Sequence, residues 1–193
     1  MNTIPRIAIF ASGNGSNAQR IAEYFAGSGI LEISAFYCNK PGAYVLERAK
    51  LLGVPTVIFN RETFYTADSI LLDLKKRDTD WIILAGFLWL IPDAILKAFP
   101  QRIINIHPAL LPAHGGKGMY GMKVHQDVIT SGETRSGISI HFVNEQYDQG
   151  DVIFQAECEV SKEDTIDTLA AKIHMLEYEH FPTIIGKLVS GDI

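Results

Sequence analysis

The run Asn105-Ile106-His107-Pro108 sets an amide and an imidazole two residues apart, directly before a proline. On an extended strand that spacing points both side chains to the same side of the sheet. Pro108 cannot continue a ladder, and it biases His107 towards an extended backbone. An amide N–H can donate to the oxygen of a tetrahedral intermediate, and an imidazole of near-neutral pKa can carry a proton from an attacking to a leaving nitrogen. The pair therefore suits acyl transfer from an amide-like donor to an amine. An acidic partner would orient the imidazole and raise its pKa. Asp148, in the polar loop 144–150, is one candidate, and spacing alone does not select it over Glu145 or Asp151. A structural reading stands beside the chemical one: His107 hydrogen-bonded in the fold, with Asn105 ending a strand.

A second constellation is Ala11-Ser12-Gly13-Asn14-Gly15-Ser16-Asn17, small residues between a β-branched run and a helix start. Gly13 and Gly15 can take positive φ, and Ser16 or Asn17 can cap the helix. Such a turn aims several N–H groups at one point, where the helix dipole favours an anion, and a phosphate fits there. No Gly-Lys-Ser/Thr follows, and the glycine spacing differs from the dinucleotide fingerprint. A plain tight strand-to-helix turn needs the same residues.

The elements that must position these groups alternate. Strands are expected over residues 6–11, 32–37, 56–59, 81–84 and 102–106, and helices over 17–26, 43–52, 61–76 and a short stretch after Pro92. The run 81–84 is wholly apolar, as befits a parallel strand covered on both faces. Alternation of this kind implies right-handed crossovers and a doubly wound, mostly parallel open α/β sheet. Ligands bind such sheets at the carboxyl ends of the strands, where both constellations fall. The second half changes character: a helix over 119–131, two strands over 136–143 and 151–160 that form an antiparallel pair, and a helix from about Thr165 to Leu188 that Pro182 should kink or break. No repeat or linker divides the chain, so residues 1–193 are expected to form a single domain.

Composition bounds the function. Hydrophobic residues make up 47% and charged residues 20% of 193 residues, the balance of a compact folded chain. A net charge of -5 argues against a broad nucleic-acid surface, though backbone N–H groups can still hold a small anion. The most apolar stretch, residues 81–91, is too short to cross a bilayer, and the N-terminus lacks the apolar core of a secretion signal. Cys38 and Cys158 stand far apart, and His114, His141 and His180 have no metal-ligand spacing. The expectation is a cytoplasmic protein with small-molecule partners, no nucleic acid, no membrane and no metal, as a monomer or homodimer.

Together these segments resemble the folate-dependent formyltransferase family over nearly the whole chain. The resemblance rests on Ser12-Gly13-Asn14-Gly15-Ser16-Asn17, Leu84-Ala85-Gly86-Phe87, Asn105-Ile106-His107-Pro108-Ala109-Leu110-Leu111-Pro112, His141-Phe142-Val143 and the loop ending Asp148-Gln149-Gly150. It implies a Rossmann-like fold and formyl transfer from 10-formyltetrahydrofolate, as co-substrate, to the glycinamide amine of a ribose phosphate. It also implies His107 as general acid/base, Asn105 as oxyanion donor and Asp148 as the carboxylate supporting His107. Asn14, Gly15, Ser16 and Asn17 would hold the phosphate, and His174 and Glu177 would face the sugar. Leu88, Trp89, Leu90, Ile91, Val143, Asn144, Tyr147 and Asp148 would line the pterin slot beside Asn105, with Arg61 as a peripheral folate contact. The chain's acidity weighs against the members that act on initiator tRNA.

Two departures from the family pattern stand out. Trp89 occupies a position where many members carry a basic residue, and can either pack on folate or fill an apolar gap. The stretch 113–122 is unusually rich in glycine, as a loop closing over ligands or as a solvated connection. His125, just beyond, reads either as a second polar group near the site or, more plainly, as a helix-surface histidine.

Overall fold

Side chains of the central strands alternate between two apolar layers, which fixes the architecture. The computed structural model describes residues 4–66 and 68–193. Strand β1 (Arg6–Ala11) sends Ile7, Ile9 and Ala11 to one core and Ala8 and Phe10 to the other. Strand β4 (Trp81–Leu84) does the same, with Trp81 and Ile83 on the first face and Ile82 and Leu84 on the second. Period-2 alternation in which both sets are apolar is the signature of a sheet covered on both sides.

The other strands are β2 (Glu32–Cys38), β3 (Thr56–Ile58), β5 (Ile103–His107), β6 (Arg135–Phe142) and β7 (Val152–Glu159). They form one seven-stranded sheet in the order β3-β2-β1-β4-β5-β6-β7. The first five are parallel, and β6 and β7 are added antiparallel. The doubly wound, mostly parallel sheet with an antiparallel pair in the C-terminal half is therefore observed. Helices α1 (Ser16–Phe25), α2 (Val45–Leu52), α6 (Met122–Thr130) and α7 (Ile166–Ser190) contribute to the first core. Helices α3 (Arg61–Tyr65), α4 (Ser69–Lys76) and α5 (Asp93–Ala98) contribute to the second. Strand order reverses between β1 and β4, which opens a crevice at their carboxyl ends.

Several local expectations are corrected. The expected helix over 61–76 includes residue 67, outside the described residues; on either side the chain forms two helices. An Asn60–Thr63 capping box starts α3, and Thr66 and Ser69 hydroxyls donate to the carbonyls of Glu62 and Thr63, a local alternative to helix continuation. The helix expected from 119 begins at Met122, because Gly116, Gly118 and Gly121 hold left-handed φ values before it. Helix α7 runs unbroken through Pro182. A proline leaves the carbonyl four residues earlier without its helical donor. That carbonyl, Tyr178 O, accepts a hydrogen bond from Arg20 Nε of α1 at 3.3 Å. Among the described residues no helix is long and apolar enough to cross a membrane.

Candidate active site

The site grows from the carboxyl ends of β1, β4 and β5. Ser12 is buried at the end of β1, where its N–H donates to Gly86 O and its Oγ accepts from Leu88 N–H. These bonds tie the glycine turn to the segment after β4. Within the turn only Gly15 takes positive φ (76°), whereas Gly13 does not. A Cβ on Gly15 would meet Val45 at 2.4 Å, so glycine is required by both backbone and packing. Gly15 itself is the cap position of α1, with no side-chain capping bond and no acidic residue in the first turn. Neither Ser16 nor Asn17 caps the helix as expected. The first N–H groups thus face the crevice without an internal acceptor, the arrangement that attracts an anion.

Asn14 and Asn17 are held by distant partners. Arg48 donates to Asn14 O at 2.9 Å and to Asn14 Oδ1 at 2.6 Å. Asn17 Nδ2 donates to Glu177 Oε2 at 2.9 Å, and His174 Nδ1 lies 2.9 Å from the same oxygen. The hydrogen bond to Glu177 pushes His174 above the ordinary imidazole pKa against the opposing effect of burial. The Glu177 carboxylate thus favours the protonated form of His174 beside the turn.

Strand β5 brings Asn105 and His107 to the same crevice, as their spacing requires. Across the antiparallel register Asn105 pairs with His141 of β6. His141 Nδ1–H donates to Phe142 O at 2.8 Å, which leaves Nε2 as an acceptor for Asn105 Nδ2–H at 3.0 Å. One N–H of Asn105 is thereby used to orient the amide, and the other can meet a ligand oxygen. His141 is the functional neighbour that sequence reasoning missed. The same-side placement of Asn105 and His107 was visible, but the register that pairs Asn105 with His141 was not.

Of the three acidic candidates, Asp148 is the one beside the imidazole. Asp148 Oδ2 stands 3.5 Å from His107 Nδ1, an ion-pair distance, and Oδ1 stands 3.6 Å from His141 Nε2. The Gly116 N–H donates to Asp148 Oδ2 at 2.9 Å, so the glycine-rich loop fixes the carboxylate. Asp148 has φ 56°, and the chain then passes so close to β6 that a Cβ on Gly150 would lie 1.7 Å from Phe142 O. Burial alone would raise the Asp148 carboxyl, but its contacts with His141, His107 and the Gly116 N–H together hold it below the usual carboxylate range. His107 Nε2–H donates to His114 O at 2.9 Å. Asp148 pulls the His107 pKa upward as an acidic partner should, but burial outweighs it and the His114 carbonyl, so the net direction is down. The resting imidazole is neutral, and a proton arriving at Nδ1 would be met by Asp148.

Two cavities meet at these groups. The larger, of about 520 Å³, runs from the Gly13–Asn17 turn past Leu88, Asn105 and His107 to His174 and Glu177, roofed by residues 116–121. Its size is ordinary for a small-molecule site. The glycine-rich stretch thus forms a wall of the site while most of its residues remain exposed to solvent. The smaller, of about 50 Å³, is lined by Trp89, Leu90, Ile91, Val143 and Tyr147 among others. Asn105, Tyr147 and Asp148 border both. Asn144 lines neither; its Oδ1 accepts the Gln146 N–H in a local turn. Arg61 also lines neither and lies with its guanidinium 4.8 Å above the Trp89 ring. Trp89 packs against Phe59, Phe64 and Phe87 of the second core while one side borders the small cavity. His125 is not on the helix surface: it is buried and borders the large cavity. Among the described residues no group of three His, Cys, Asp or Glu could hold a metal ion.

An open α/β sheet whose crevice joins a glycine turn to an amide, an imidazole and a buried carboxylate brings together the groups that a group transfer requires. The chain belongs to the formyl transferase family, whose model matches residues 5–185. It is 40% identical over 95% of its length to the chloroplastic phosphoribosylglycinamide formyltransferase of Arabidopsis thaliana, and spans 65% of that protein. It is 35% identical to the phosphoribosylglycinamide formyltransferase of Bacillus subtilis, covering 95% of this chain and 94% of that one. The crystal structure of phosphoribosylglycinamide formyltransferase from Bacillus halodurans superposes with a TM-score of 0.86 at 34% identity, covering 97% of each chain.

Proposed function

We propose that this chain transfers the formyl group of 10-formyltetrahydrofolate to the amine of glycinamide ribonucleotide, giving formylglycinamide ribonucleotide and tetrahydrofolate in de novo purine biosynthesis. The observation that carries the reading is the convergence of Asn105, His107 and Asp148 where the two cavities meet. A phosphorylated amine can enter by the large cavity, and the pterin of a folate can approach from the side of the small one, so that amine and formyl carbon meet at these groups. The name shared by the relatives, including the Bacillus subtilis protein whose length this chain almost spans, supports the same acceptor.

The acceptor phosphate lies on the N–H groups of Asn14, Gly15, Ser16 and Asn17, with His174 and Glu177 towards the sugar. Trp89, Leu90, Ile91, Val143 and Tyr147 hold the folate, with Leu88 at the wall of the large cavity and Arg61 towards the folate tail; Asn144, engaged in its local turn, is not among them. The amine nitrogen attacks the formyl carbon, and the free N–H of Asn105 stabilises the oxygen that becomes anionic. The carbon–N10 bond of folate breaks as the intermediate collapses. His107 takes the proton that the attacking amine gives up and returns one to N10, while Asp148 stabilises the imidazolium between these steps. Free cysteines at 38 and 158 are compatible with a reducing cytoplasm.

The test is incubation of purified protein with 10-formyltetrahydrofolate, with and without glycinamide ribonucleotide, following the folate product by absorbance. Product that forms only with the ribonucleotide supports the reading. Product formed without it indicates hydrolysis, and none in either case indicates a different acceptor.

A further inference from the structure

His125 has no part in the proton transfer, yet its surroundings are those of a group that meets a ligand. The side chain is 2% exposed and projects from α6 to the wall of the large cavity. Its Nδ1 is buried without any hydrogen-bond partner among the described residues. A buried polar atom left unpaired is destabilising by about 1–3 kcal/mol, and folded chains retain few of them. A histidine serving only the packing of α6 would be expected to find an acceptor or donor in the protein, as His107, His114, His141 and His174 all do. The charged and polar groups that act on it are His174 and Glu177 of α7 and His107 of β5. Burial and the two neighbouring imidazoles push its pKa down, and only Glu177 opposes them. The ring is therefore a neutral imidazole, carrying one donor and one acceptor.

The groups around His125 select the ligand group. The cavity that it borders also holds the glycine turn, the reacting pair Asn105 and His107, and His174 with Glu177. His174 and Glu177, placed above towards the sugar of a phosphorylated amine, are both among the groups that act on His125. A hydroxyl both donates and accepts, so it satisfies an imidazole in either tautomer, whereas a carboxylate or ammonium suits only one. We infer that His125, together with Glu177, is a binding residue for a ribose hydroxyl of the acceptor substrate, and that it selects for a sugar between the phosphate and the amine. This inference rests on the acceptor proposed above.

Two variants and two calorimetric probes test it. His125→Ala should raise KM for glycinamide ribonucleotide roughly tenfold, equivalent to one hydrogen bond of about 1.4 kcal/mol, with kcat changed by less than about threefold. Folate affinity, read by quenching of tryptophan fluorescence, should not move. His125→Gln, which keeps one donor and one acceptor, should recover part of the loss. In calorimetry, His125→Ala should weaken binding of ribose 5-phosphate but leave binding of inorganic phosphate unchanged. A role in packing alone would not separate those two probes. Equal weakening of both probes, or an unchanged KM in folded His125→Ala, would overturn the inference, as would a fall in kcat at constant KM. Absence of formyl transfer by the unmodified protein would instead remove the proposed acceptor, and the two calorimetric probes would still decide the role of His125.

Discussion

Replacing Asp148 by Asn tests the electrostatic core of the site with little steric change. The amide is nearly isosteric, tolerates the left-handed backbone at this position, and can still accept the Gly116 N–H through its oxygen. What disappears is a negative charge 3.5 Å from His107 Nδ1. At that separation, and at an effective dielectric constant of about 20, Coulomb's law gives about 5 kcal/mol of attraction for an imidazolium. Part of it is offset in the native protein by desolvation of the carboxylate, so a loss of about 3 kcal/mol, roughly 10²-fold in kcat, is expected. Direction in pH follows separately. Asp148 is the charge that pulls the His107 pKa up against burial, so without it the imidazole protonates only at lower pH. The acidic limb of the kcat profile should therefore shift to lower pH while the plateau falls. Initial rates of folate product formation across roughly pH 5 to 9 read both effects. A folded Asp148→Asn protein with kcat within about threefold of the parent and an unmoved acidic limb would refute the pairing.

Other predictions concern the framework. Gly150→Ala places a Cβ 1.7 Å from a backbone oxygen of β6 and should lower stability by more than about 3 kcal/mol in denaturant titration, with activity lost as the Asp148 loop shifts. Arg20→Ala should lower stability by about 1 kcal/mol in the parent and by almost nothing in a Pro182→Ala background, where the Tyr178 carbonyl regains a helical donor. Because burial holds His125 below its ordinary pKa, the unfolded chain binds the extra proton first as pH falls below about 6.5, and folding stability drops. His125→Gln should show a smaller loss of stability between roughly pH 7.5 and 5.5 than the parent, measured by chemical denaturation; an equal loss would show that another group sets the slope.

Much of this molecule was legible in its sequence, and the gaps have physical causes. The central strands were readable because burial on both faces requires uninterrupted apolar runs such as residues 81–84. Asn105 and His107 were readable as a pair because the period of a strand is two. Their partners lie beyond that reach. Asp148 was one of three acidic candidates until the loop's path around Gly150 brought it to His107. His141 depended on the β5–β6 register, and His125 on which face of α6 packs against α7. Pro182 was misjudged because the group that compensates it, Arg20, lies 158 positions away from Tyr178. In each case a local rule gave the right residue or a sound local expectation, and a contact distant in sequence decided its role.

The central claim is that a formyl group passes directly from folate to the amine of a ribonucleotide at Asn105 and His107. The most direct measurement follows the carbon itself, by ¹³C NMR of protein incubated with formyl-labelled 10-formyltetrahydrofolate and glycinamide ribonucleotide. The account predicts that label leaves the folate and appears only as the N-formyl group of the ribonucleotide, with the signal abolished in His107→Ala. Label appearing as free formate, or transfer at the parental rate by folded His107→Ala, would contradict it.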